Sequence, residues 1–101
     1  MKRSRVLGPS IALALAAMAL APQALAEAER GAALAASCFT CHSIDATGNM
    51  PNLVGYPRDL MVSQMQAFTD GSRPATIMNR LSKGYSEADI ELIADYIATL
   101  Q

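Results

Sequence analysis

A chain of 101 residues, 51% of them hydrophobic and with eight basic side chains against nine acidic ones, has length for one domain and a short appendage, and none for a second core. Three of the bases, Lys2, Arg3 and Arg5, crowd the start, so residues 27–101 keep only Arg30, Arg58, Arg73, Arg80 and Lys83 against all nine acids, a formal charge of −4. No basic stripe remains to neutralise phosphates, which excludes nucleic acid as the expected partner.

The opening "MKRSRVLGPSIALALAAMALAPQALAEAE" has the order of an export signal: basic residues, an apolar run over 11–21, then the small-residue pattern Ala24-Leu25-Ala26. It predicts cleavage between Ala26 and Glu27, with residues 1–26 as a signal peptide and 27–101 as the mature domain. The apolar run is shorter than the roughly 20 residues needed to cross a bilayer, so no stable membrane span is expected in the mature protein.

Next, "EAERGAALAASC" is alanine-rich and free of proline, and predicts a helix over residues 28–37 with Glu27 and Glu29 in its first turn. Gly31 interrupts this run. It is either a tolerated defect costing up to about 1 kcal/mol or a point where another helix approaches closely. Residues 44–57, containing "DATGNMPNLVGYP", carry turn residues throughout and predict a long irregular segment, hard to justify in so small a domain unless it wraps around something.

A second helix is predicted from "RDLMVSQMQAF", with Leu60, Met61, Gln64, Met65 and Phe68 on one side, ending before Thr69 to Gly71. After Arg73-Pro74 a short helical turn fits residues 75–81. The last helix is announced by Ser86 with Asp89 three residues on, a capping box in aspartate form, and by the apolar stripe Ile90, Ile93, Ile97 and Leu100. The expected fold is therefore all-α, three principal helices joined by loops. Their apolar faces are thin for a domain of this size, which commonly leans on a disulfide, metal or cofactor.

The only two cysteines and the only histidine stand together in "SCFTCHS" as Cys38, Cys41 and His42. A thioredoxin-like dithiol is expected beside a βαβ pattern that is missing here. Zinc wants four ligands and the cluster supplies three. A disulfide would close only a small loop and leave His42 unexplained. Covalent attachment of one haem uses all three: two thiols for the two vinyl positions and a histidine as an axial iron ligand. Export agrees with this, since bacterial c-type attachment takes place outside the cytoplasm, and the periplasm is the expected location.

The sixth iron ligand has no second histidine to draw on, which leaves the methionines and their soft thioether. Met61 and Met65 belong to the apolar face of the middle helix, where core packing is the simpler role. Met50 stands only eight residues beyond His42 and would have to reach round the macrocycle at once. Met78, 36 residues beyond His42 and past the whole middle helix, leads, with core packing as its alternative.

Together "CFTCH", "MPNLVG", "LMVSQMQAFTDGSRPATIM" and "LSKGYSEADIELIADYIATL" resemble class I cytochromes c over nearly all of residues 27–101. Within that class the chain is most similar to cytochrome c4 modules and to the monohaem cytochrome subunit of flavocytochrome c sulfide dehydrogenase. The resemblance implies a class I fold around one haem, with Met78 as distal ligand and His42 as proximal ligand. It makes Pro51 the residue whose carbonyl accepts the His42 Nδ1 proton, and puts Gly31 and Tyr96 where the first and last helices cross. Tyr56 and Arg58 become candidates to meet a haem propionate, and Gln64 matches a recurrent glutamine of the middle helix.

Cytochrome c4 carries two such modules and this chain has one CxxCH, a departure that favours the monohaem subunit. By that resemblance the chain has no catalytic site of its own. It would accept electrons from an FAD-containing sulfide dehydrogenase subunit and pass them to a soluble periplasmic acceptor. A free periplasmic shuttle is the alternative. A peroxidase or gas-binding haem protein is the more distant one, since nothing in the chain offers a distal histidine or a general acid.

Overall fold

Alanine and leucine, strong helix formers, dominate the first third of the chain, where α1 spans Pro9–Ala35. The structure, a computed structural model, describes residues 9–43 and 50–100, with side chains described from residue 17 onward. The helix expected over 28–37 thus begins much earlier, at Pro9, so that Glu27 and Glu29 lie mid-helix instead of in a first turn. Propensity explains the extension: no breaker separates Ala26 from Glu27, and Pro22 removes one donor from the ladder without ending it. Residues 17–30 are exposed, with Met18, Leu20 and Leu25 showing 64–75% of their surface, whereas Gly31 and Ala35 are buried.

Gly31 is buried because α4 (Glu87–Ala98) crosses there. A Cβ at position 31 would stand 2.5 Å from the Leu92 carbonyl oxygen and 3.4 Å from Tyr96 Cβ. The close-approach reading of Gly31 therefore holds. Alanine would gain about 1 kcal/mol of helix propensity, but overpacking typically costs about 1–3 kcal/mol, and the atom in the way is backbone with no rotamer to yield. We expect Gly31→Val to destabilise the haem-loaded protein by about 3 kcal/mol and Gly31→Ala by less, read as shifts of the urea midpoint. A Gly31→Val variant as stable as the parent would contradict this crossing.

The expected capping box opens α4: Ser86 Oγ accepts from Asp89 N at 3.1 Å, and Asp89 Oδ2 accepts from Ser86 N at 3.2 Å. Ile90, Ile93 and Ile97 are buried, each worth about 1.5–3 kcal/mol of apolar transfer, with Ala94 packed among them. Arg30 on α1 donates to Asp89 Oδ1 at 2.8 Å, tying the two helices at the cap.

That guanidinium, with the Ser86 amide, holds the Asp89 carboxyl below its ordinary range. A depressed folded-state value means stability that is present above the unfolded-state pKa, about 3.9, and lost as pH falls through the lower folded value. Asp89→Asn should therefore be less stable than the parent at neutral pH, with the gap closing below about pH 4. Chemical denaturation across that range is the check.

Between these helices, α2 (Arg58–Asp70) follows Pro57 and ends at Gly71, whose φ of 82° is the left-handed conformation that glycine adopts without penalty. It runs two residues beyond the predicted end. Met61 and Met65 turn inward. Residues 44–49 of the expected irregular segment lie outside the described residues. The remainder, 50–57, is irregular as expected and is organised by Asn52 Oδ1 accepting from Val54 N at 2.9 Å and by Gly55 N donating to Leu100 O at 3.3 Å. The short turn expected near 75–81 is α3 (Met78–Leu81), continued by one 3-10 turn over Ser82–Gly84.

The described residues contain no strand, so the fold is all-α, with α1 and α2 packed against α4. None of the described helices is long and apolar enough to cross a membrane.

Candidate functional site

Helices α2 and α4, the turn after α1 and the segments 50–56 and 73–81 do not close over one another. They surround a cavity of about 530 Å³. Its floor is apolar, made by Leu53, Met61, Met65, Ile93 and Ile97. This is the size and lining of a small-molecule or cofactor site.

Cys38, Cys41 and His42 all line this cavity. They reach it because the chain leaves α1 through a tight 3-10 turn, Cys38–Thr40, in which His42 N donates to Cys38 O at 2.9 Å and Cys41 N to the same oxygen at 3.3 Å. Turning back on itself, the backbone presents the two thiols and the imidazole together. Ser37 anchors the turn, bonding Leu34 O at 3.2 Å and the Tyr85 hydroxyl at 2.9 Å. Both thiols are free. Burial pushes the Cys38 thiol up, with the Ser37 hydrogen bond opposing it.

His42 Nδ1 lies 2.7 Å from Pro51 O. A carbonyl oxygen only accepts, so Nδ1 carries the proton and Nε2 is left with its lone pair free to bind a metal. Met78, at the start of α3, lines the same cavity, as do Pro51, Met50 and Tyr56. Thus six of the seven residues expected at the site from sequence, Cys38, Cys41, His42, Pro51, Tyr56 and Met78, share one cavity.

Arg58 is not brought there. Its Nε donates to Asp95 Oδ1 at 2.6 Å, its Nη2 to Glu91 Oε2 at 3.0 Å and its Nη1 to Asp59 Oδ1 at 3.1 Å, a set of bonds that raises its already high pKa. In place of the expected propionate contact, this guanidinium joins the start of α2 to the outer face of α4.

The cation that does line the cavity is Arg73, 4.7 Å from the centroid of Phe68, which lines it too. Sequence reasoning passed over Arg73. The available signal was its position two residues beyond the Gly71 cap and next to Pro74, where the chain turns back toward the cavity.

Gln64 Oε1 is buried at the cavity wall without a hydrogen-bond partner among the described residues, and Asn79 Oδ1 and Ser82 Oγ are likewise buried and unpartnered among them. Buried polar atoms are normally satisfied. An orphaned amide oxygen, free thiols and an apolar floor around a proton-committed imidazole together fit a large, mostly apolar group carrying a metal.

Comparison with known proteins bears on which group that is. The sequence model of the family described as "Cytochrome c" matches residues 28–101. The chain is 36% identical over 73 residues to the protein named "Cytochrome subunit of sulfide dehydrogenase" from Chlorobaculum tepidum, covering 70% of this chain and 66% of that one. It is 34% identical over 71 residues to the "Thiosulfate dehydrogenase electron acceptor" of Thiomonas intermedia, covering 66% of this chain and 33% of that protein. With "Cytochrome c4" of Pseudomonas aeruginosa it shares 34% identity over 93 residues, 89% of this chain and 46% of the other. The chain therefore spans just under two thirds of the first relative's length and less than half of the other two.

Proposed function

The chain belongs to the cytochrome c family, and from that premise we propose that it is a periplasmic electron-transfer protein serving as the haem subunit of a dehydrogenase that oxidises a reduced sulfur compound. It carries a single c-type haem bound covalently through cysteine, in the all-α class I fold. When bound, the haem supplies reversible one-electron chemistry at its iron.

What the chain's own residues contribute is attachment, ligation and exclusion of water. Cys38 and Cys41 would form the thioether links to the haem. His42, held through Nδ1 by Pro51 O, would offer Nε2 to the iron in a fixed orientation, and that hydrogen bond would make it a stronger donor. Met78, which lines the same cavity, would offer its thioether to the iron. Leu53, Met61, Met65, Ile93 and Ile97 keep the surroundings dry, which favours a high reduction potential. With His42 and Met78 both held toward it, a bound iron would be closed to substrate, which fits outer-sphere transfer.

The single observation that carries this reading is the convergence of Cys38, Cys41, His42 and Met78 on one apolar cavity, with the imidazole already committed through Nδ1. Tyr56 and Arg73 are the polar groups at hand for the propionates. Export with cleavage after Ala26 is supported by the exposed surface of residues 17–26.

An FAD-containing sulfide dehydrogenase is the partner favoured by the similarity to the Chlorobaculum tepidum protein. The similarity to a thiosulfate dehydrogenase electron acceptor favours the second reading, a shuttle serving more than one sulfur-oxidising enzyme. Purification from the native periplasm separates them: a stoichiometric flavoprotein supports the dedicated subunit, and a chain that elutes alone supports the shuttle. Outer-sphere transfer itself is tested with carbon monoxide. The reduced haem-loaded protein is expected not to bind it at neutral pH, and rapid binding would instead indicate an open sixth position and a ligand-binding protein.

A further inference from the structure

Met78 stands in a segment with little to hold it. Between Gly71 and Tyr85 only Ser82 is buried, and α3 with the 3-10 turn after it packs against α2 but not against α1 or the turn that carries Cys38. Among the described residues the hydrogen bonds of 74–85 stay inside the segment, with one exception. Arg80 N and Leu81 N donate to Ile77 O at 2.9 and 3.1 Å, Ser82 N donates to Met78 O, and Tyr85 N donates to Ser82 O at 3.2 Å.

The exception joins the Tyr85 hydroxyl to Ser37 Oγ at 2.9 Å, across 48 positions of sequence. Its direction follows from counting protons. Ser37 has one hydroxyl proton and gives it to Leu34 O at 3.2 Å, so Tyr85 is the donor and Ser37 Oγ the acceptor. Ser37 immediately precedes Cys38, and Ser37, Cys38, Met78 and Tyr85 all line the cavity. The Tyr85 side chain also packs against the buried core, so its hydroxyl is presented from an anchored base.

A thinly buried segment whose hydrogen bonds are internal is the kind that opens locally, at a free energy well below that of global unfolding. Opening here would withdraw the Met78 thioether from the cavity.

We propose that Tyr85 is a positioning residue for the sixth ligand: its bond to Ser37 latches residues 74–85 to the attachment turn and opposes the opening that releases Met78. The acceptor sits beside Cys38, so the turn that is fixed to the haem also holds the latch. This inference rests on the reading of Met78 as the sixth ligand.

The test adds imidazole to the ferric haem-loaded protein at neutral pH and follows loss of the weak far-red band of iron bound to methionine sulfur. In this exchange an imidazole nitrogen lone pair takes the place of the Met78 sulfur, and the iron keeps its oxidation state. Tyr85→Phe should raise the apparent imidazole affinity roughly two- to tenfold, the worth of one ordinary hydrogen bond. Ser37→Ala should do the same, and the double variant should go no further than either, because both delete one contact. Ser37→Thr, which keeps the hydroxyl, should match the parent.

Gly31→Ala, which disturbs the α1–α4 crossing instead, should lower global stability and leave the imidazole affinity unchanged. Parent-like affinities in Tyr85→Phe and Ser37→Ala, effects that multiply in the double variant, or an equal rise in Gly31→Ala would overturn the latch. A parent protein without the far-red band overturns the Met78 reading, and the latch with it.

Discussion

Made without haem attachment, as the Cys38→Ala/Cys41→Ala double variant, the chain is expected to lose cooperative folding altogether. The cavity of about 530 Å³ lies where a protein of this size would otherwise have its core. At about 24 cal/mol per Å³ of void, leaving it empty costs on the order of 10 kcal/mol. Water entering through the mouth lowers that figure, yet a small domain has only about 5–15 kcal/mol of total stability to lose. Collapse does not rescue the apo chain, because the α1–α4 crossing at Gly31 already brings backbone against backbone and leaves no slack there. Far-UV circular dichroism of the double variant should show much reduced helix and a broad thermal transition. A sharp transition near that of the haem-loaded protein would mean that the helices form a self-sufficient core.

The second large effect is expected from Met78→Ala. A thioether is a weak donor that favours reduced iron, and a water-derived ligand in its place favours the oxidised state. The reduction potential should fall by roughly 0.1–0.3 V, a fraction of the about 0.8 V over which axial ligation sets haem potentials. Carbon monoxide should then bind the reduced variant readily. The loss in stability should be smaller than for the missing haem, since Met78 is only partly buried. Met61→Ala and Met65→Ala should behave in the opposite way: both residues are buried on the inner face of α2, so their truncation should cost about 2–5 kcal/mol with little change in the visible spectrum.

Much of this arrangement was legible because its signals are local. Ser86 and Asp89 lie one turn apart, and their reciprocal bonds follow from spacing alone. Cys38, Cys41 and His42 reach the cavity together because the amides of Cys41 and His42 both fold back onto Cys38 O at the end of a 3-10 turn. The His42–Pro51 contact spans nine residues and was expected only through family resemblance.

Pairings between distant elements were less accessible. Arg58 reads from sequence as a loop cation free to meet a propionate, but its acceptors Glu91 and Asp95 are one turn apart on α4 and become neighbours only when α2 packs against that helix. Arg30 and Asp89, 59 residues apart, meet for the same reason. The start of α1 was misjudged for a different cause: an export signal is recognised by its chemistry for processing, which says nothing of the conformation of the uncleaved chain.

The most direct test of the account is the absorption spectrum of the haem-loaded protein in both oxidation states, beside that of Met78→Ala. Ligation by His42 and Met78 predicts a low-spin spectrum in both states, with the weak far-red band of ferric iron bound to methionine sulfur present in the parent and lost in the variant. A high-spin spectrum without that band, unchanged by the substitution, would contradict the assignment of Met78 and with it the closed iron on which the electron-transfer reading depends.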